Sequence, residues 1–369
     1  MKLIFWLSFL TIAYAYFGYA VLLSVYAKLC RSPFSRQGIT PSVSVVIAAR
    51  NEESRLAEKI RNLQLLDYPS TRLQFVIASD GSTDGTNRVL TEQVPWILPV
   101  LLPKSEGKAN ALNQAVLRAT GDILVFLDVR QSVDLNAISE LVSCFGDPQV
   151  GAVSGELILE TSAGLPSPDG LGIYWTIEKA VRKLESATGS VVGVTGAIYA
   201  IRRELFVPIP TGTILDDVFV PMNVVRMGRR VVFQPSAIAR DRIFTEKRKE
   251  FSRKVRTLAG NYQLLRMAPW LLTRRNPLLF RFISHKLLRL LVPLLLLLML
   301  LSSAMIADRT YRAAFVLQVM FYALAGFGAV RPSSKQFKPV AIANTFVMLN
   351  AAATLAFYRF IAGRDRLWT

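Results

Sequence analysis

The chain has 369 residues, 52% of them hydrophobic, and its mean hydropathy of +0.35 is high for a soluble enzyme. It carries 44 Lys and Arg against 26 Asp and Glu, a formal net charge of +18, which suits nucleic acid, an anionic membrane surface or a polyanionic ligand. The interleaved basic and aromatic surface motifs of a nucleic-acid module are missing, so nucleic acid is disfavoured as a partner.

In chain order, residues 3–27 come first, almost wholly apolar or aromatic and without charge. About 25 residues rising 1.5 Å each exceed the hydrocarbon thickness, so a tilted span is expected over residues 1–30. A cleaved leader would have a shorter apolar core followed by a small-residue cleavage site, and a retained helix fits better. Lys28, Arg31 and Arg36 follow this segment, against Lys2 before it.

From Ser42 the pattern changes. Val43–Ala48 reads as a buried strand ending at Arg50-Asn51-Glu52-Glu53, with a helix to about Leu66. Leu73–Ala78 reads as a second strand, ending at Ser79-Asp80-Gly81-Ser82-Thr83-Asp84-Gly85. Helix to about Leu90, strand near Ile97–Leu102, helix Lys108–Ala119 and strand Ile123–Leu127 follow, with Asp128 at its end. Alternation of apolar strands with amphipathic helices predicts βαβ units in a parallel sheet. Ligands of such sheets gather at the C-terminal ends of the strands, where the Arg50, Ser79 and Asp128 clusters fall. One such cluster is an ordinary turn; three in one sheet point to a site. No phosphate loop and no Gly-x-Gly-x-x-Gly follows the first strand, which disfavours P-loop NTPases and dinucleotide oxidoreductases. Cys30 and Cys144 have neither metal spacing nor a disulfide framework, in keeping with a reducing compartment. The single histidine, His285, excludes a histidine triad or zinc site in this middle domain.

Three further spans are expected after it, Leu287–Ala307, Ala313–Val330 and Pro339–Phe357, joined by short polar turns, with Pro293 a potential kink. Cations at Arg274, Arg275, Arg281, Lys286 and Arg289 border these segments, as at a membrane surface. The expected organisation is therefore an N-terminal span (1–30), a catalytic domain (42–265), an interfacial segment (266–286) and about three C-terminal spans (287–361). Cations after the first span place the middle domain in the cytoplasm, on the inner face of the plasma membrane. Arg331, Lys335 and Lys338 then also fall inside, while three C-terminal crossings leave Arg359, Arg364 and Arg366 on the disfavoured side.

Residues 42–265 resemble the family-2 glycosyltransferases of the GT-A fold, the group that includes cellulose and hyaluronan synthases. The motifs that carry this are Ala48-Ala49-Arg50-Asn51-Glu52, Ser79-Asp80-Gly81-Ser82-Thr83-Asp84, Gly107-Lys108-Ala109-Asn110-Ala111-Leu112-Asn113 and Asp128-Val129-Arg130. Gly196–Arg203, Leu215-Asp216-Asp217 and Arg253-Lys254-Val255-Arg256-Thr257 follow in the same order. The resemblance implies an α/β nucleotide-sugar-binding (GT-A, Rossmann-like) domain flanked by transmembrane helices. It implies donor contacts from Ala48, Arg50, Glu52, Asp80, Lys108, Asp128, Arg130, Arg253 and Arg256, with Asp80 on the base. Lys108 at a helix N-terminus suits a diphosphate. Asp128 stands at the first position of the family's Asp-x-Asp motif and would ligate Mg²⁺ or Mn²⁺. Arg130 replaces the second acid of that motif and is expected to stabilise phosphate charge directly.

By the same resemblance Asp217 is the catalytic base and Asp216 its neighbour; such a group must take the acceptor's proton, and adjacent acids raise one another's pKa. The competing reading of this pair is a helix N-cap. Arg253–Thr257 stands where synthases carry Gln-x-x-Arg-Trp. Arg256 matches, while Thr257 replaces the Trp on which a polymer would stack; a basic interfacial helix is the alternative. The implied activity is inverting transfer of a sugar from a nucleotide-diphosphate sugar, a UDP-sugar, to a lipid-linked or glycan hydroxyl, with membrane lipids as partners. A nucleotidyltransferase using the same sheet, a non-processive or inactive family member, and a non-enzymatic scaffold or transporter built from the membrane helices are the rival readings.

Overall fold

The computed structural model describes residues 1–92, 94–160, 170–242, 247–331 and 337–363. Lys335, Arg364 and Arg366 lie outside the described residues.

One eight-stranded sheet organises the middle of the chain. Its strands are β1 (Val43–Ala49), β2 (Leu73–Asp80), β3 (Ile97–Leu102), β4 (Ile123–Asp128), β5 (Ser132–Val133), β6 (Val150–Glu160), β7 (Ile198–Arg202) and β8 (Arg230–Arg242). They lie in the order β3-β2-β1-β4-β7-β6-β8-β5. The first four are parallel, as the alternation of strands and helices predicts. β7 then runs antiparallel to both β4 and β6, β6 runs parallel to β8, and β5 caps the edge antiparallel to β8. The sheet is therefore mixed.

Alternation of side chains sorts the strands onto two cores. Val45 and Ile47 of β1 pack with Leu56 and Leu63 of helix Glu53–Gln64 and with Ile138 and Leu141 of helix Ala137–Ser143. Val46, Leu124 and Phe126 face the other way, onto Leu112 and Ala115 of helix Lys108–Val116 and Met222 of helix Asp216–Arg226. Each fully buried Leu or Ile in these layers contributes roughly 1.5–3 kcal/mol of transfer free energy. That burial fixes the sheet edge on which the polar clusters sit.

Among the described residues, four helices are long and apolar enough to cross a membrane: Lys2–Leu29, Leu279–Met305, Arg309–Val330 and Lys338–Ile361. The second begins at Leu279, not at Leu287, so Arg281, His285, Lys286 and Arg289 belong to the helix itself. The first and second are each broken by a π-helical turn, Tyr14–Gly18 and Ile283–Leu287, and these turns meet through Tyr14 Oη and Ser284 Oγ, 2.9 Å apart. Such π-turns are frequent at functional sites.

Helix Lys247–Met267 joins the sheet domain to the last apolar helix. Val255 and Ala259 pack against Ala352 and Ala356, and Tyr262 stacks on Phe360 at 5.5 Å. Its other face meets the sheet domain, where Gln263 accepts from Ile214 N at 2.9 Å and donates to the Gly212 carbonyl at 2.9 Å.

Candidate active site

Parallel register sets three strand ends side by side: Ala48 of β1 pairs with Ala78 of β2 and with Asp128 of β4. Two connecting turns lock onto one another above them. Asn51 takes a left-handed conformation, φ 53°, which Asn tolerates better than most residues. Its side chain accepts from Thr83 N at 2.8 Å, and its backbone N donates to Ser82 Oγ at 3.1 Å. Arg50 is half-buried beside this turn, and Glu52 pairs with Arg55 at 2.8 Å.

Asp80 is 1% exposed, and its carboxylate accepts from Ser105 Oγ, Glu106 N and Gly107 N at 2.8, 2.8 and 3.0 Å. Both oxygens are thus engaged in fixing the turn before Lys108, a structural task beside any contact with a base. Gly107 sits there at φ 97°, a conformation side chains resist, and releases the chain into helix Lys108–Val116.

Lys108 reaches across to Asp128 at 3.1 Å and to Asp216 at 3.3 Å. Burial opposes its charge, but Asp128 and Asp216 outweigh burial and hold the ammonium firmly protonated. Asp216 and Asp217 open the helix Asp216–Arg226. The N-cap residue is Leu215, without a side-chain cap, so the two acids occupy the first turn and do not cap the helix. Asp217 Oδ1 is buried without a hydrogen-bond partner among the described residues, whereas Asp216 Oδ2 has the Lys108 ion pair without a well-aligned hydrogen bond. Burial, and next the Asp216 carboxylate, push Asp217 up to about 6. A carboxyl poised there is matched to proton abstraction near neutral pH.

Three features of this site escape sequence reasoning. Tyr199 of β7 stacks on Phe126 at 4.7 Å and buries a hydroxyl that has no partner among the described residues; burial and the acids Asp216, Asp217 and Asp128 hold that phenol well above its ordinary value. Lys59 is buried behind β4 with its ammonium on the Gln131 carbonyl at 2.8 Å, and burial pulls it down to about 7. The third is a glycine-rich strap, residues 188–197, beneath Asp217. Val194 N donates to the Asp217 carbonyl at 2.9 Å, and a Cβ added at Gly196 would lie 3.6 Å from Asp217 Oδ2. Arg281 pins the strap from the second apolar helix, donating to the carbonyls of Glu185, Thr188 and Ser190 at 2.7–2.9 Å.

Arg130 is a correction. Its guanidinium is directed at the buried carboxylate of Asp241 on β8, which Gln131 Nε2 also contacts at 3.0 Å, and it is therefore bound to an acid of its own domain instead of being free to meet phosphate. Arg281 and Arg289 also depart from the expected membrane-surface role, since both are bonded within the protein. Arg256 is half-buried and shares a helix face with Gly260, four residues on, which abuts Leu215 just before the acid pair; Arg253 is exposed.

The donor set for a divalent cation is small. Among the described residues no group of three His, Cys, Asp or Glu side chains is placed to hold one. Asp128, with its side chain 36% exposed, can supply one carboxylate. That fits a cation carried mainly by substrate phosphates.

Residues 44–208 match the family model described as glycosyl transferase family 2. The chain contains a family-2 glycosyltransferase domain. The match ends before Asp216, so the acid pair rests on geometry. A poly-beta-1,6-N-acetyl-D-glucosamine synthase of Staphylococcus aureus is 27% identical over 208 residues, 53% of this chain and 48% of the relative. A beta-monoglucosyldiacylglycerol synthase of Nostoc sp. is 35% identical over 122 residues, 32% of this chain and 26% of that relative. The family-2 chain thus spans about half the length, or less, of these curated relatives. A mannosyltransferase, PcManGT from Pyrobaculum calidifontis, solved with GDP-Man and Mn²⁺, superposes with a TM-score of 0.72 at 22% identity, over 97% of this chain and 99% of its own. The GT-A fold, apolar helices included, is therefore shared along nearly the whole chain.

Proposed function

We propose that this family-2 protein is a membrane-embedded, inverting glycosyltransferase that moves a sugar from a nucleoside diphosphate sugar, a UDP-sugar, to an acceptor hydroxyl at the bilayer surface. The observation that carries this reading is the acid pair beside Lys108. One carboxylate, Asp216, is tied to the lysine, while Asp217 keeps an unpartnered oxygen and titrates near 6. Two adjacent acids with different surroundings divide the labour, one paired with a cation and one free to take a proton.

In this reading Asp217 removes the acceptor proton as the hydroxyl attacks the anomeric carbon. Lys108 and the start of its helix balance the charge that develops on the departing diphosphate. Arg256 adds to that charge balance from helix Lys247–Met267. Ala48, Arg50, Glu52 and Asp80 border the nucleoside end, and Arg253 lies on the same helix as Arg256 on the approach to it. A divalent cation, Mg²⁺ or Mn²⁺, would be held by Asp128 and the donor phosphates and would supply further neutralisation of the leaving group. The relatives' names add support for a membrane product, since one is a polysaccharide synthase and the other a glycolipid synthase. The four apolar helices are the anchors, with the sheet domain on the cytoplasmic side of the plasma membrane.

The test is product analysis. Membranes containing the full chain are incubated with labelled UDP-glucose, UDP-N-acetylglucosamine and GDP-mannose, then separated into lipid, polymer and nucleotide fractions. Nucleoside diphosphate release with label in the lipid or polymer fraction is expected. Pyrophosphate release instead would identify a nucleotidyltransferase and end this reading.

A further inference from the structure

The cations around Asp217 are of two kinds. Lys108 is bound to Asp128 and Asp216, Arg289 donates to Glu178 at 2.9 Å, and Arg182 faces the same Glu178 at 3.6 Å. Arg281 is occupied by the strap carbonyls. Lys286 differs: half-buried, it makes no hydrogen bond and no ion pair with any described residue. Glu178 and Asp217 act on this ammonium only through space, and a partly desolvated ammonium without a hydrogen-bonded anion is costly, so the site can take a further anion.

Its surroundings say where that ligand lies. A Cβ added at Gly193 would stand 3.9 Å from Lys286 Nζ, and one at Gly196 would stand 3.6 Å from Asp217 Oδ2. The two glycines therefore bring backbone close to both groups, with the ammonium beside Gly193, where Val218 Cγ2 also lies 3.3 Å from an added Cβ, and the candidate base beside Gly196. Lys108 enters this region from the sheet, beside Asp128, whereas Lys286 enters from the π-helical turn near the start of an apolar helix. Lysines near the ends of such helices lie at headgroup depth.

We propose, resting on the transferase reading above, that Lys286 binds a phosphate carried by the acceptor, so that the acceptor is a phosphate-bearing lipid whose attacked hydroxyl belongs to the same headgroup. A neutral acceptor, diacylglycerol or glycan, would leave the ammonium without its anion. The donor phosphates have Lys108 and do not need Lys286.

The experiment uses the full chain in phosphatidylcholine nanodiscs and the labelled nucleotide sugar that it turns over fastest. Three acceptors are compared: phosphatidylglycerol, which has hydroxyls and a phosphate in one headgroup; dioleoylglycerol, which has the hydroxyl alone; and soluble glycerol phosphate, which has the same polar group without lipid. Phosphatidylglycerol should be labelled about tenfold or more better than either of the others. Lys286→Gln should raise its KM about 10- to 100-fold, the worth of one hydrogen bond to a charged group, with a smaller change in kcat, and Lys286→Arg should restore most of it. Equal labelling of dioleoylglycerol overturns the proposal. So does preference for soluble glycerol phosphate, or a K286Q effect that falls on kcat for all acceptors alike and moves the pH profile, which would make Lys286 a partner of Asp217 only. Donor hydrolysis with no acceptor labelled overturns the phosphate assignment but leaves the transferase reading standing, whereas absence of any donor turnover sinks both.

Discussion

Two buried clusters of charge lie within this molecule, and they are built to opposite rules. The first joins helix Gly170–Ala187 to the apolar helices. His285 places Nε2 3.0 Å from Glu178 and Nδ1 3.0 Å from Glu185, Tyr19 donates to Glu185 at 2.7 Å, and Arg289 donates to Glu178. Both ring nitrogens face carboxylate oxygens, an arrangement that a doubly protonated imidazole satisfies. The second cluster, Lys108 with Asp128, Asp216, Asp217 and Tyr199, leaves Asp217 Oδ1 and the Tyr199 phenol without a partner among the described residues. In the first cluster the histidine nitrogens and the acids are paired with one another, with Arg289 bonded through Nη1 while its Nε lacks a hydrogen-bond partner among the described residues; paired acids fix structure, and an unpaired acid holds potential for chemistry at a cost in stability. The contrast separates strut from site more sharply than burial does.

Substitutions can break that contrast. The largest effect is expected from Asp217→Asn, which keeps shape and removes the base: sugar transfer should fall about 10²–10⁴-fold while UDP binding, followed by calorimetry, stays. Wild-type turnover in D217N would remove Asp217 from the mechanism. His285→Ala strikes the strut and should cost about 3–5 kcal/mol, as when one partner of a buried ion pair is deleted, read as a lowered thermal midpoint in detergent. Should H285A keep its midpoint and lose only turnover, the strut would belong to the chemistry and the contrast would collapse.

Acid should move the clusters in opposite directions. Asp217 must be ionised to act, so kcat/KM should drop about tenfold per unit as the pH falls below about 6. The folded protein holds that proton more tightly than the unfolded chain, whose carboxylate titrates near 3.8, so this group's contribution to stability declines as the pH rises through that window. Glu178 and Glu185 have the other sign. Burial opposes their ionisation, yet His285 outweighs it and holds both below the usual carboxylate range. Their stabilising contribution is present at neutral pH and disappears as the pH falls through the lowered values. Denaturation curves across pH 3–8 on wild type and D217N separate the two. The smallest effect is expected from Gly196→Ala. Its methyl would meet Asp217 at ordinary contact distance, so stability should change by less than about 1 kcal/mol, while acceptor KM rises severalfold.

Legibility followed sequence distance. The clusters at Arg50, Asp80 and Asp128 could be read because each ends a short apolar strand and parallel register aligns strand ends. Asp216 and Asp217 were visible as adjacent acids before an apolar run. The Arg130–Asp241 pair spans 111 residues and His285–Glu185 spans 100, distances over which no periodicity carries information. Lys286 was hidden differently: Arg281, Lys286 and Arg289 at the head of an apolar helix look like a membrane-surface patch until the fold shows both arginines bonded inside the protein and Lys286 without a hydrogen bond or ion pair among the described residues. The second, mixed half of the sheet was unreadable because the long strands β6 and β8, a parallel pair, are brought together only by tertiary packing.

Arg281 has a consequence for biosynthesis. The strap beneath Asp217 is pinned by a guanidinium that leaves the ribosome after the whole sheet domain, at the head of a helix long and apolar enough to cross a membrane. Chains fold from the N-terminus as they are made. On the proposed reading, the nascent sheet domain would be made before the strap beneath the candidate base is pinned, and full activity is expected only once that apolar helix is in place.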